Sequence, residues 1–159
     1  MYSIVIKKLY IELAAKEMIR VLKPGGRIST SVWCIPDKNF WVTAMGSTIN
    51  RIMQIPPQPP DAPGMFRCAE SGMIEDLFKN LGLKNTSEVE VCGELDCGTA
   101  EIYWNMMTDI AAPFVAALSN ADEETIIKIK SEVTEILNQK FPDGKVVIDG
   151  NSFVISGEK

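Results

Sequence analysis

The stretch Arg20-Val21-Leu22-Lys23-Pro24-Gly25-Gly26-Arg27 decides how the chain is read. An amphipathic helix runs into it, with Ile11, Ala14, Ala15, Met18 and Leu22 at helical spacing over about 9–22. Pro24 ends that helix, because the residue before a proline is pushed out of the α region. Gly25 and Gly26 supply the positive φ that a tight reversal needs. The β-rich run Ile28-Ser29-Thr30-Ser31-Val32-Trp33 leaves the turn. The octet is therefore a helix-to-strand turn, and the strand it feeds, Arg27 to Cys34, reads as partly buried and central.

Upstream, Ser3 to Ile6 reads as the stump of a strand. Downstream, Asn39 is placed to cap a helix over about Phe40 to Met53. The segment Ile55 to Gly64 holds five prolines in ten residues, so it neither pairs in a sheet nor continues a helix. It is either an exposed polyproline-like linker or a semi-rigid arm that positions a lid. A short helix follows over Gly72 to Leu81, with Ser71 as its cap. Gly82 stands where a left-handed C-cap belongs and Leu83 is its hydrophobic partner. Thr86 to Leu95 alternates, Val89 and Val91 against Glu88 and Glu90, and reads as a strand with one wet face.

Thr99 to Leu118 reads as helix, bent or broken at Pro113. Asn120 with Glu123 resembles a capping box opening the longest helix, Asp122 to Lys140. The final segments 145–148 and 153–155 read as strand. Asp149-Gly150-Asn151-Ser152 between them is a hairpin turn or a bulge.

The bulk numbers bound the function. The chain has 159 residues, 46% hydrophobic and 23% charged, enough for one globular domain with a core. A net charge of −5 argues against nucleic acid as a partner, since a basic stripe is expected there. No polybasic anchor and no membrane-length apolar run is present, so no membrane partner is expected. The first eight residues place their charges after the apolar ones and do not form a signal peptide. The four cysteines, Cys34, Cys68, Cys92 and Cys97, contain no Cys-x-x-Cys pair and read as thiols of a cytoplasmic protein. There is no histidine, which removes Ser-His-Asp and Cys-His machinery and histidine-bound zinc; no metal ligand set is expected.

Taken together, "KEMIRVLKPGGRISTSVW", then "DLFKNLGLKN" and an alternating strand, resembles the C-terminal half of a class I S-adenosylmethionine (SAM)-dependent methyltransferase, of the type related to ubiquinone/menaquinone-biosynthesis enzymes. The resemblance implies an α/β fold: a partial Rossmann-like methyltransferase sheet, its C-terminal strands only, with helical inserts. It implies a single domain over 1–159, with inserts at 40–66 and 99–141 forming a substrate lid. The family's cofactor, SAM, is held by a glycine-rich loop after the first strand, and that half is missing. Gly25-Gly26 follow a helix and form no Gly-x-Gly-x-x-Gly fingerprint. No cofactor-binding residue is carried over, and no catalytic residue is assigned.

The resemblance places the acceptor pocket in this half. The candidate substrate-binding residues are Trp33, Phe40, Trp41, Met45, Phe66, Tyr103 and Trp104, with Met65 and Met107 beside them. Aromatic and methionine side chains at helical spacing are also the usual content of a core. Glu70, Asp96, Glu101 and Asp109 read as surface groups or helix caps rather than bases. Methyl transfer needs little acid–base help, because the sulfonium is already activated and positioning does most of the work. The expected protein is a methyltransferase relative that does not bind SAM alone and is inactive as an isolated chain. The alternatives are a non-enzymatic small-molecule or protein-binding module, or one subunit of a split methyltransferase. Its expected partners are a small-molecule acceptor and either a second copy, in a homodimer, or a missing N-terminal half; the exposed surface of a half-sheet calls for one or the other.

Overall fold

The computed structural model describes residues 2–57, 59 and 62–159, with side chains from Tyr10 onward. It is a mixed α/β structure. The elements are α1 (Tyr2–Val21), β1 (Arg27–Trp33), a 3₁₀ turn (Pro36–Lys38), α2 (Phe40–Ile52), α3 (Met73–Asn80), β2 (Lys84–Gly98), α4 (Ala100–Ile110), α5 (Ala112–Leu118), α6 (Glu123–Lys140) and β3 (Val146–Glu158). No helix among the described residues is long and apolar enough to cross a membrane. Two compact units divide the chain: residues 1–35, 59–92 and 151–159 form the first, and residues 36–58 and 93–150 form the second.

In the first unit the octet folds as its residues dictate. Gly25 takes a φ of +73°, and the Gly26 N–H donates to the Lys23 carbonyl at 2.8 Å. The end of β3 is tied into this turn. Gly25 N–H donates to the Lys159 carbonyl at 2.8 Å, and Lys159 N–H donates to Gly26 at 2.9 Å. The Lys159 ammonium then caps α1, donating to the carbonyls of Ile19, Arg20 and Leu22 at 2.8, 3.2 and 2.8 Å. These are the carbonyls a helix end leaves without partners, and a cation there also meets the negative end of the dipole. Ser3 to Ile6 are helical rather than a strand stump. The sheet holds no strand beside them, and a helix satisfies the backbone within the segment where a lone strand does not.

The three strands form one sheet in the order β1-β3-β2. β1 pairs antiparallel with β3, from Arg27 opposite Glu158 to Trp33 opposite Ser152. Among the described residues β1 is thus an edge strand, not a central one. β3 is unbroken through Asp149–Ser152, so this stretch is not a hairpin turn. One face of the sheet is covered by α1 and α3. Ala15, Ile74, Phe78, Leu83, Phe153 and Ile155 form its buried cluster, with Ile11, Ile19, Ile28 and Val32 packed around it. Gly157 permits the close approach. A Cβ there would meet the Leu83 side chain at 2.9 Å.

The short helix α3 ends as expected. Gly82 has φ +88°, Leu83 N–H donates to Phe78 and Gly82 N–H to Lys79, at 3.1 and 3.0 Å. This is a Schellman motif with buried Leu83 as its apolar contact. Its start differs from expectation. The N-cap is Gly72, and Ser71 instead donates to the Glu88 carboxylate at 2.8 Å. Glu88 also accepts from the Gly72 N–H at 2.9 Å. The polar face of β2 is therefore turned toward α3, and it is the valines that are exposed, Val89 at 56% and Val91 at 45%. A carboxylate near a helix start is held by N–H donors and the helix dipole, which orients the whole strand.

The second unit is mainly helical. Its core holds Val42, Met45, Ile49, Tyr103, Trp104, Met107, Phe114, Ile129, Val133 and Leu137. Its helix 99–118 is broken at Ala111, with Pro113 in the first turn of α5. The long helix α6 is capped by Asp122, whose carboxylate accepts from the Thr125 N–H at 2.8 Å. Asn120 is not the cap; its amide donates to the Ala116 carbonyl at 2.8 Å. The salt bridge of Arg51 with Glu132 joins α2 to α6.

Of the proline-rich segment, Gln58, Pro60 and Asp61 lie outside the described residues. Pro56, Pro57, Pro59 and Pro63 are exposed and belong to no helix or strand.

Candidate functional site

Five of the seven expected acceptor residues fall in the second unit: Phe40, Trp41, Met45, Tyr103 and Trp104. Trp33 and Phe66 belong to the first. The five stand on two helices, α2 and α4, and α2 is anchored at Asn39. That residue is fully buried. Its carbonyl accepts from the N–H groups of Val42 and Thr43, both at 3.2 Å. Its side-chain oxygen accepts from the Trp41 indole at 3.1 Å rather than from the helix backbone. Asn39 therefore fixes both the start of α2 and the orientation of Trp41.

Tyr103 makes the link between the helices. Its hydroxyl donates to the Trp41 carbonyl at 2.7 Å. Trp41 is in the first turn of α2. Burial pushes the Tyr103 hydroxyl far above the ordinary tyrosine value, and Cys97 adds a smaller push. The phenol is accordingly a neutral donor, with its proton committed, and not a base. Burial likewise raises the Cys97 thiol, with Asp96 contributing, so this cysteine is a poor nucleophile.

Exposure separates the five further. Met45 and Tyr103 are sealed and Trp104 nearly so, at 7%. Phe40 and Trp41 are half-buried. The Phe40 ring packs edge-on to Phe141 at 6.2 Å, with the Lys140 ammonium 4.0 Å from its centre. In the first unit Trp33 and Phe66 are half-buried and Met65 is exposed.

The carboxylates near the expected inserts are engaged at the surface. Asp96 accepts from the Gly98 N–H at 2.9 Å and pairs with Lys145 at 3.1 Å, and these donors hold its carboxyl below the usual range. Glu101 pairs with Lys130 at 3.5 Å. Glu70 and Asp109 are exposed. A solvent-open depression of about 510 Å³ is lined by Asp122, Glu123, Glu124 and Ile127. None of the expected aromatic residues lines it, and the Asp122 carboxylate there is the α6 cap. Among the described residues no group of three metal-ligating side chains is assembled. The cysteines form no disulfide.

Gly98 stands at the turn into α4. It is a positive-φ glycine between a strand and a helix, β2 and α4. Its N–H is taken by Asp96, and a Cβ at this position would meet Ile102 at 3.1 Å. A nucleotide-type ligand needs bare amides and open space at such a turn. At this turn the amide is already taken by the Asp96 carboxylate.

No model of a known protein family matches the chain, and no curated protein matches it either.

Proposed function

We propose that the chain is the substrate-side half of a SAM-dependent methyltransferase relative, catalytically incomplete by itself, with a Rossmann-like sheet of which only the C-terminal strands are present. The observation that carries this reading is the sheet order with its edge module. β1 leaves the Lys23-Pro24-Gly25-Gly26 turn, a crossover through α2 and α3 leads to β2, and β3 returns antiparallel to β1 between the two. The LGL segment closes α3 as a Schellman motif directly before β2. The edge at β1 is then the side on which the earlier strands of a full sheet would lie.

On this reading the helices of the second unit carry the acceptor side, and Phe40 and Trp41 are the surfaces a small apolar acceptor meets first. Met45, Tyr103 and Trp104 support them from beneath. Titration calorimetry with SAM and S-adenosylhomocysteine tests the proposal. The expected result is no binding of either. Micromolar binding would overturn the incompleteness of the chain, since a cofactor site would then exist without the glycine-rich half.

A further inference from the structure

The two edges of the sheet are differently guarded. β2 carries Lys84, Glu88, Glu90, Glu94 and Asp96, the charged residues that keep an edge from pairing with a copy of itself. β1, Arg-Ile-Ser-Thr-Ser-Val-Trp over 27–33, carries one charge, at its end. Its sequence is also nearly the same read in either direction about Thr30.

The hydrogen bonds fix which way β1 faces. Cys34 N–H donates to Asn151, and Lys159 N–H to Gly26, both at 2.9 Å. The even-numbered residues therefore point their backbone groups at β3. In an antiparallel ladder the alternate residues point the other way. The N–H and C=O groups of Arg27, Ser29 and Ser31 are thus directed to the open edge.

We propose that β1 is a homodimer interface, pairing antiparallel with β1 of a second copy across a two-fold axis at Thr30. In this register Ser29 stands opposite the partner copy's Ser31, and the outward groups of both are in hydrogen-bonding phase. Ile28 meets Val32 on the helix-covered face. Arg27 meets Trp33 rather than another arginine, so no like charges oppose. A self-complementary patch of this kind is what an isologous contact requires. The two three-stranded sheets become one of six strands.

A second observation points to the same occupant. α1 exposes Tyr10, Leu13, Met18 and Val21, at 65%, 45%, 42% and 67%. A two-fold axis normal to the sheet puts the second α1 in the same layer, on the same side of the joined sheet. The pairing uses only features of the first unit and does not depend on the methyltransferase reading.

Sedimentation equilibrium over a dilution series reads the mass against the 17.6 kDa of one chain. A dimer is expected, and Ser31→Pro is expected to return it to monomer with an unchanged circular dichroism spectrum. Proline there removes an outward N–H and none donated to β3. Thr30→Cys gives a second reading that does not depend on how the proline variant folds. Directly opposed residues of a non-hydrogen-bonded pair lie about 4.5 Å apart, within disulfide reach. Oxidation should double its mass on non-reducing gels, with the bond mapped by peptide mass to position 30 in both chains. A monomer at the highest concentration overturns the proposal. So does a dimer that forms no bond at position 30, since another surface would then hold it.

Discussion

The two units hide their apolar surface to different degrees. The first lays two helices on one face of a sheet and leaves Val89, Val91 and the serines 29, 31 and 87 on the other face exposed. The second wraps helices around Met45, Tyr103, Met107, Ile129, Val133 and Leu137, and buries all six. A helical layer can close on itself because each helix satisfies its own backbone. A short sheet cannot, because its edges keep a row of unmet donors and acceptors. Of the aromatic residues expected at a site, Tyr103 and Trp104 are therefore sealed, while Phe40 and Trp41 stay half-buried. Among the described residues, the backbone groups of Arg27, Ser29 and Ser31 that point away from β3 lie instead on a sheet edge of small polar residues.

Four substitutions sharpen that contrast, and Trp33 in the first unit and Trp41 and Trp104 in the second report on them by fluorescence, each in a background that keeps that tryptophan alone. Phe78→Ala removes a fully buried ring from the one covered face of the sheet. It should cost about 3–5 kcal/mol and change the Trp33 signal first; equal and simultaneous loss of all three signals would show that the two units unfold as one. Gly157→Ala drives a Cβ into Leu83, and overpacking of this kind costs ~1–3 kcal/mol. Chemical denaturation gives both values. If Gly157→Ala is neutral, α3 does not rest as closely on the sheet as Leu83 indicates.

Tyr103→Phe keeps the ring and deletes the bond to Trp41. The expected loss is about 1 kcal/mol, with a shifted Trp41 emission and an unchanged Trp33. An unchanged Trp41 would mean that this hydroxyl does not position α2. The smallest effect belongs to the α6 cap. Thr125, through its hydroxyl and then its N–H, lowers the Asp122 carboxyl below its ordinary value. Its stabilising effect is therefore present above the unfolded carboxylate pKa of about 3.9 and is lost as pH falls through the lower folded value. Asp122→Ala should lower the melting temperature slightly at neutral pH and by less in acid. A deficit that persists in acid would rule out the charged cap as its source.

Much of the fold was legible because it depends on local chemistry. Pro24, Gly25 and Gly82 impose their geometry on the backbone whatever surrounds them, so the turn after α1 and the end of α3 follow from the residues alone. The long helix α6 was readable from its stripe of Ile129, Val133 and Leu137. What was not readable depends on partners distant in sequence. Ser71, Asn39 and Asn120 each have the chemistry of an N-cap, yet their side chains bond to Glu88, Trp41 and Ala116. A polar side chain goes to the strongest partner within reach, and for Ser71 that partner lies 17 positions along the chain. The inverted face of β2 has the same origin, since alternation defines two faces but not which one meets α3. The edge position of β1 could not be read from its composition, because β3, which flanks it on one side only, arrives more than a hundred residues later. Of the candidate site, the helices that carry Phe40, Trp41, Tyr103 and Trp104 were legible. The sealing of Met45 and Tyr103 was not, since a helical stripe looks the same whether it faces a core or a ligand.

The central position of β3 also sets a timetable. β1 and β2 have no ladder with each other; each waits for residues 151–158. On the ribosome the first unit therefore stays an unfinished sheet with two bare strands until the last of its three segments has emerged, while most of the second unit is already in hand. Long-range strand pairing is slow, and exposed strands are where nascent chains go astray. Of the two, β2 with its five charged residues is the edge that better tolerates that wait.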